Sequence, residues 1–210
     1  MTGESPAPWA TEESSGDDGP RSDDEPTPTQ STESAAAWPV ESTTTHLETP
    51  WLTVGDDTVR RPNGETAAYY WASTDPSVAV VAHDQTADEL VFVEQYRPKL
   101  GRAFRELPAG GIEDGETPVA AARRELREET GYRAETVEEL GVYYPAGVLR
   151  MARHVCYATD LAPGEPDTDD GEQITVERVE SETAVETALS EPTTGWTVTP
   201  LLWARETGRL

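Results

Sequence analysis

The chain has 210 residues, and its 41 Asp and Glu outnumber its 16 Lys and Arg to give a formal charge of −25. That balance argues against DNA or RNA as a partner, because phosphates are repelled. No apolar run approaches the roughly 20 residues that span a bilayer, and the single cysteine, Cys156, excludes an internal disulfide.

In chain order, residues 1–45 are rich in Ser, Thr, Pro and Gly and carry ten acidic residues against one basic, Arg21. Such a stretch buries too little apolar surface to offset its chain entropy, so a disordered acidic tail is expected there. Its opening, MTGESPAPWATEESSGDD, lacks the basic and apolar regions of a secretion signal, and a soluble, cytoplasmic protein is expected. One domain is expected over 46–210, starting with a small β-unit at 46–73. Two turn signals punctuate that unit, Gly55-Asp56 and Asn63-Gly64. SVAVVAHD (77–84) and ELVFVEQYR (89–97) read as strands joined by a polar turn, and RAFRELP (102–108) as a short strand before Gly110-Gly111. Thr117 as N-cap, Pro118 at the first helical position and Gly131 after the last turn predict a helix over 118–130. AETVEELGVYYP (134–145) and RMARHVCYATDL (150–161) read as strands, followed by a long acidic loop. ITVERV (174–179) is the last strand, with helices near 181–190 and 198–207. Strands outnumber helices and are interrupted by them, so the class is α+β.

The helix at 118–130 carries an unusual charge pattern. At 100° per residue, with Glu125 at zero, Glu129 lies at about 40° and Glu128 at about −60°. Val119, Ala122 and Leu126 form the adjoining apolar stripe. Carboxylates sharing one face repel each other, so this is either a solvated acidic face or a place for a cation. Mg2+ is held by a few carboxylates together with substrate phosphates, and it polarises phosphate oxygens. Hydrolysis of a phosphate ester or anhydride is the chemistry that would follow.

From Gly110 the sequence runs five residues to Glu116, seven more, then Arg124-Glu125-Leu126-Arg127-Glu128-Glu129-Thr130-Gly131-Tyr132. This resembles the Nudix box, G-x5-E-x7-R-E-U-x-E-E-x-G-U with U bulky and apolar. Every fixed position matches, with Tyr132 standing where Ile, Leu or Val is usual. The resemblance implies an α/β/α sandwich with a mixed β-sheet, the box forming a loop–helix–loop at 110–132. It also implies Mg2+- or Mn2+-dependent hydrolysis of a nucleoside diphosphate linked to another moiety. By position, Glu125 and Glu129 would be the main metal ligands and Glu128 a further ligand or a base. Glu116 would be a secondary ligand or structural, Arg124 would orient the glutamates, and the Gly111 backbone would approach the metal.

The preceding stretch, EQYRPKLGRAFRELPAGG, looks like the ADP-ribose and nucleotide-sugar pyrophosphatase branch of that family. The likeness implies that Arg97 contacts the substrate diphosphate and that Glu106 helps to hold a metal. Arg105 is either a substrate contact or a surface residue. Pro145, fourteen residues beyond Gly131, agrees with the same branch. In that branch the N-terminal β-unit often forms a homodimer and its aromatics stack on adenine, which makes Trp51 and Tyr70 candidates for nucleotide contact. One departure stands out. Several ADP-ribose hydrolases carry a catalytic Glu on the loop after the Pro, whereas PAGVLRMARHV has Arg150 and Arg153 and no carboxylate. The base would then be Glu128, Glu129 or Glu172, or Arg150 and Arg153 would bind a more anionic substrate. The products expected are AMP, or another nucleoside monophosphate, and a sugar phosphate. The alternatives are a dinucleotide or nucleoside triphosphate substrate, or a nucleotide-sugar sensor without turnover.

The excess of Asp and Glu with one lysine, Lys99, resembles the proteins of extreme halophiles. At molar salt the Debye length is about 3 Å and such a surface repels itself little. His46, His83, His154 and Cys156 match no ligand pattern and read as structural.

Overall fold

The structure is a computed structural model that describes residues 37–167 and 173–210. Residues 1–36 of the tail expected over 1–45, and the candidate base Glu172, lie outside the described residues. Along the chain run β1 (Val40–Glu48), β2 (Thr53–Arg60), β3 (Thr66–Ser73), β4 (Ser77–Asp84), β5 (Glu89–Arg97), β6 (Arg102–Glu106) and β7 (Ala109–Gly111). Then follow α1 (Pro118–Thr130), β8 (Arg133–Tyr143), β9 (Leu149–Arg150), β10 (Arg153–Ala162), β11 (Ile174–Glu180), a 3-10 turn (Ser181–Thr183), α2 (Ala184–Leu189) and α3 (Gly195–Glu206).

The apolar run of β4 explains the layering, because its neighbours bury both of its faces. Val78, Val80 and Ala82 pack with Ala121, Ala122 and Leu126 of α1. Val81, one step out of phase, packs with Leu90 and Phe92 of β5 and with Ala184, Ala188, Leu201 and Ala204 of α2 and α3. A strand buried on both faces needs no polar alternation. The sheet runs β11-β5-β4-β10-β8, with β6 added to β5 and β7 to β4. It is mixed, since β10 lies parallel to β4 while its other neighbours pair antiparallel. Helices cover both faces, which makes an α/β/α sandwich of the α+β class.

Local chemistry terminates α1 at both ends. The Thr117 hydroxyl accepts from the Ala120 amide at 3.2 Å, satisfying one of the orphan donors of the first turn. Gly131 takes the left-handed conformation (φ 77°) and donates to Arg127 O at 2.9 Å.

The N-terminal strands form a second sheet, β1-β2-β3-β9. Several expectations change. Ordered chain begins ahead of position 45, because β1 starts at Val40. Every β1 residue is exposed, and the strand is held by its ladder to β2, from Val40↔Val59 to Glu48↔Thr53. A reading based on burial misses a strand of this kind. Gly55-Asp56 is also no turn but lies inside β2. A Cβ on Gly55 would collide with Thr44 O and the Trp71 ring, so the glycine serves close packing. Asn63-Gly64 does make the β2–β3 turn, with Gly64 at φ 85°. The strand expected over 150–161 is divided: β9 pairs with β3 in one sheet, and β10 enters the other after Met151 and Ala152. The helix expected from 198 begins at Gly195. Among the described residues no helix is long and apolar enough to cross a membrane.

Gly55→Ala is expected to cost about 1–3 kcal/mol by overpacking β1 and Trp71, read as a lower denaturant midpoint; an unchanged midpoint would mean that Trp71 swings aside freely.

Candidate active site

The site grows from one local fact, the apposition of β7 and α1. β7 pairs with the start of β4 (Ser77↔Gly111, Val78↔Gly110, Ala79↔Ala109), which carries its two glycines across the helix. A Cβ on Gly110 would fall on the carboxyl group of Glu125, so only glycine lets that carboxylate lie against the loop. The buried Glu129 carboxylate accepts from the Ala109 amide at 3.0 Å.

Arg124 organises the other carboxylates. Its guanidinium donates to both Glu116 oxygens (3.1 and 2.9 Å), to Glu125 Oε1 (2.7 Å), to Glu128 Oε2 (3.2 Å) and to Gly111 O (2.7 Å). Arg127 donates to the other Glu128 oxygen at 2.7 Å. The bond from Arg124 is the main reason that the Glu116 carboxyl sits below the usual carboxylate range. The same bond, with further ones to Glu125 and Glu128, outweighs burial and raises the pKa of Arg124.

Above this network opens a cavity of about 800 Å3. The helix and its loop line it with Gly110, Gly111, Arg124, Glu125, Glu128 and Glu129. Glu113 and Asp114 of the same loop also line it, as do Trp51 from the β1–β2 loop, Asp75, Gln95, Arg97 and Asp167. Arg97, at the end of β5, is held by Glu106 at 2.6–2.7 Å, and the other Glu106 oxygen accepts from the Thr194 hydroxyl at 3.1 Å. Glu106 is 4% exposed and stands behind Arg97.

Several residues expected from the sequence are not in this lining: Glu106 stands behind Arg97, Glu116 is bonded by Arg124, and three more lie elsewhere. Arg105 is bonded to Glu177 at 2.5 Å, which raises its pKa, and does not line the cavity. Arg150 pairs with Asp57 and lies 4.2 Å from the Trp71 ring centre. Burial would raise the pKa of Asp57, but bonds from Thr43, Arg150 and Trp71 lower it. Tyr70 is exposed on the outer sheet, its ring 6.0 Å from that of His46. Asp75, Gln95 and Asp167 were not singled out in advance. Asp167 is brought in by its amide, which donates to Glu128 O at 3.0 Å, and by Arg127 at 3.7 Å. It sits in an acidic run with no distinguishing pattern, so only the loop's path reveals it.

The donor set suits a hard divalent cation: carboxylate oxygens and a backbone carbonyl on one helix face and loop. Among the described residues no three such side chains are already drawn into a cage. Arg124 lies between Glu116, Glu125 and Glu128 and supplies the positive charge there. The cradle that Gly110 leaves for Glu125 is the feature that fits a bound ion, since it keeps the loop backbone and a carboxylate within one coordination sphere's reach.

Two family models match the chain: the NUDIX domain over residues 73–199 and the nucleoside diphosphate sugar hydrolase N-terminal domain over 38–72. An ADP-ribose pyrophosphatase of Bacillus subtilis is 35% identical over 132 residues, 60% of this chain and 70% of that protein. The ADP-sugar pyrophosphatase of Mus musculus is 46% identical over 71 residues, a third of each chain. The methanol dehydrogenase activator of Bacillus methanolicus is 44% identical over 84 residues, 40% of this chain and 45% of that protein. The matched stretch thus spans less than half of these last two relatives. A crystal structure of an ADP compounds hydrolase shares the fold, with a TM-score of 0.73 at 23% identity over 85% of this chain and all of that one.

The Arg124–Glu116 bond sets a pH dependence. Because the folded pKa of Glu116 lies below its ordinary 4.5, the bond's stabilisation is complete above that value and is lost as pH falls through the folded one. Glu116→Gln should therefore cost about 1 kcal/mol near neutrality, with the gap to the parent closing as pH falls below 4.5 in urea melts across a pH series.

Proposed function

The chain belongs to the Nudix family, and on that basis we propose that it hydrolyses the diphosphate of a nucleoside diphosphate sugar, ADP-ribose foremost, to AMP and a sugar phosphate, with Mg2+ or Mn2+ as cofactor. One observation carries the reading: Glu125, Glu128 and Glu129 of the box open onto the same cavity as Arg97. A metal-binding face and a cation suited to a diphosphate thereby share one space of substrate size. The relatives with ADP-ribose and ADP-sugar pyrophosphatase activity support the choice of substrate.

In this reading Glu125, Glu129 and the Gly111 carbonyl would hold the ion, and Glu106 and Glu116, bonded here by Arg97 and Arg124, would serve as further oxygen donors. The ion, when bound, neutralises the diphosphate and polarises its phosphorus–oxygen bonds. Arg97 presents a fork that matches two phosphate oxygens. Trp51 offers a flat indole at the cavity mouth for the nucleobase. Glu128 is the base that takes the proton of the attacking water. Its two oxygens are held by Arg124 and Arg127, which aims it beside Glu125 and Glu129. Arg124 orients the glutamates and offsets the repulsion among them. A sensor without turnover is disfavoured because every glutamate of the box is present.

The same proposal places the protein in the cytoplasm and pairs it as a homodimer through the N-terminal sheet, where Trp38, Val40 and Leu47 are exposed.

In molar KCl with Mg2+, the protein should release AMP from ADP-ribose; no turnover of any member of a nucleotide panel would refute an enzymatic role. Glu129→Gln should lower kcat by more than the 10–100-fold that loss of an outer-sphere partner costs, with the thermal midpoint kept. Gly110→Ala should lower activity comparably by pushing the Glu125 carboxylate off the loop, and wild-type rates in that variant would move the metal elsewhere.

A further inference from the structure

Arg153 opens β10, facing Ser77 of β4 on one side and Tyr143 of β8 on the other. It is 5% exposed, its Nε donates to Ser77 Oγ at 3.3 Å, and its Nη1 has no hydrogen-bond partner among the described residues. Burying an arginine is costly, and an apolar side chain of similar volume often fills such a place as well or better. Packing alone therefore does not account for the guanidinium.

Its surroundings suggest what does. The guanidinium lies 4.6 Å from the ring centre of Trp196, and that of Arg97 lies 5.9 Å from the same ring. A cation near an indole face is attracted by the ring quadrupole. The Trp196 ring is thus shared by a buried cation and by the cation that faces the cavity. The circuit closes on the far side, where Arg97 pairs with Glu106 and Glu106 accepts from Thr194, two residues before Trp196. The Thr194 hydroxyl bonds Glu106 and does not cap α3. Arg153 also repels Arg97, while Glu106 and Glu129 attract Arg153. Trp196 is itself 41% exposed, so the place of its ring depends on these two guanidinium contacts more than on burial.

We propose that Arg153 and Trp196 are positioning residues for Arg97: the buried guanidinium pins the indole, and the indole sets the reach of Arg97 into the cavity. The proposal rests on the reading of Arg97 as a contact to the substrate diphosphate. A merely structural Arg153 would change stability and leave substrate affinity alone.

The test compares Arg153→Met, Arg153→Lys, Trp196→Ala, Arg97→Ala and the Arg153→Met/Trp196→Ala double variant by steady-state kinetics on ADP-ribose with Mg2+, together with thermal midpoints. Arg153→Met and Trp196→Ala should each raise KM by about tenfold with kcat within about twofold, and the double variant should be no worse than either, as for residues acting as one unit. Arg153→Lys should recover most of the loss, and Arg97→Ala should raise KM at least as far. The proposal is overturned if Arg153→Met keeps the parent KM while Arg97→Ala raises it, or if the two single effects multiply in the double variant. If Arg153→Met does not fold, an unchanged KM in Trp196→Ala overturns it equally. An unchanged KM in Arg97→Ala would instead remove the diphosphate reading on which the proposal stands.

Discussion

One guanidinium holds the centre of this molecule together. Glu116, Glu125 and Glu128 would repel one another along the helix and its loop, and Arg124 bonds all three and the Gly111 carbonyl besides. Lysine could not do this, because its ammonium lacks the planar fork that serves several acceptors at once. The network gives α1 an orientation as well as a charge balance, since Arg124 ties the helix to the loop after β7. The loop in turn is aligned by its ladder to β4, the strand buried on both faces. The carboxylates are thus registered against the most rigid part of the fold.

The opposite wall of the cavity has a different origin. Trp51 comes from the N-terminal sheet, Arg97 from the end of β5, and Asp167 from the loop after β10. These segments meet only because the sandwich brings the β5 end and the α1 loop to the same side. Arg97 is held indirectly, by Glu106 and by the Trp196 ring near the start of α3. Both faces of the sheet therefore contribute to one site: α1 supplies the acidic side, and α3 supports the basic one.

In so acidic a chain most of the described arginines are paired with carboxylates. Arg60, Arg105, Arg150, Arg178 and Arg209 pair with Glu41, Glu177, Asp57, Asp84 and Glu138. Exposed pairs of this kind contribute little stability singly. Their consequence here is that, among the described residues, Arg97 and Arg124 are the two basic residues in the cavity lining. The placement of Arg97 therefore bears heavily on how an anion is received.

The sequence by itself determined whatever depends on near neighbours along the chain. The caps of α1 follow from Thr117, Pro118 and Gly131, and the shared face of Glu125, Glu128 and Glu129 follows from helical spacing. The doubly buried β4 follows from an unbroken apolar run. Tertiary structure decided what depends on distant partners. Arg150 is drawn away from the cavity by Asp57, 93 residues earlier, and Arg105 by Glu177, 72 residues later. Gly55 reads as a turn until Trp71 is seen lying on it, and β1 reads as tail because hydrogen bonds, with little burial, hold it in place. Arg153 and Trp196 meet across two elements with no sequence signal at all. Helical and strand periods act over a few residues and leave a pattern, whereas an ion pair between remote segments depends on the path of the whole chain and leaves none.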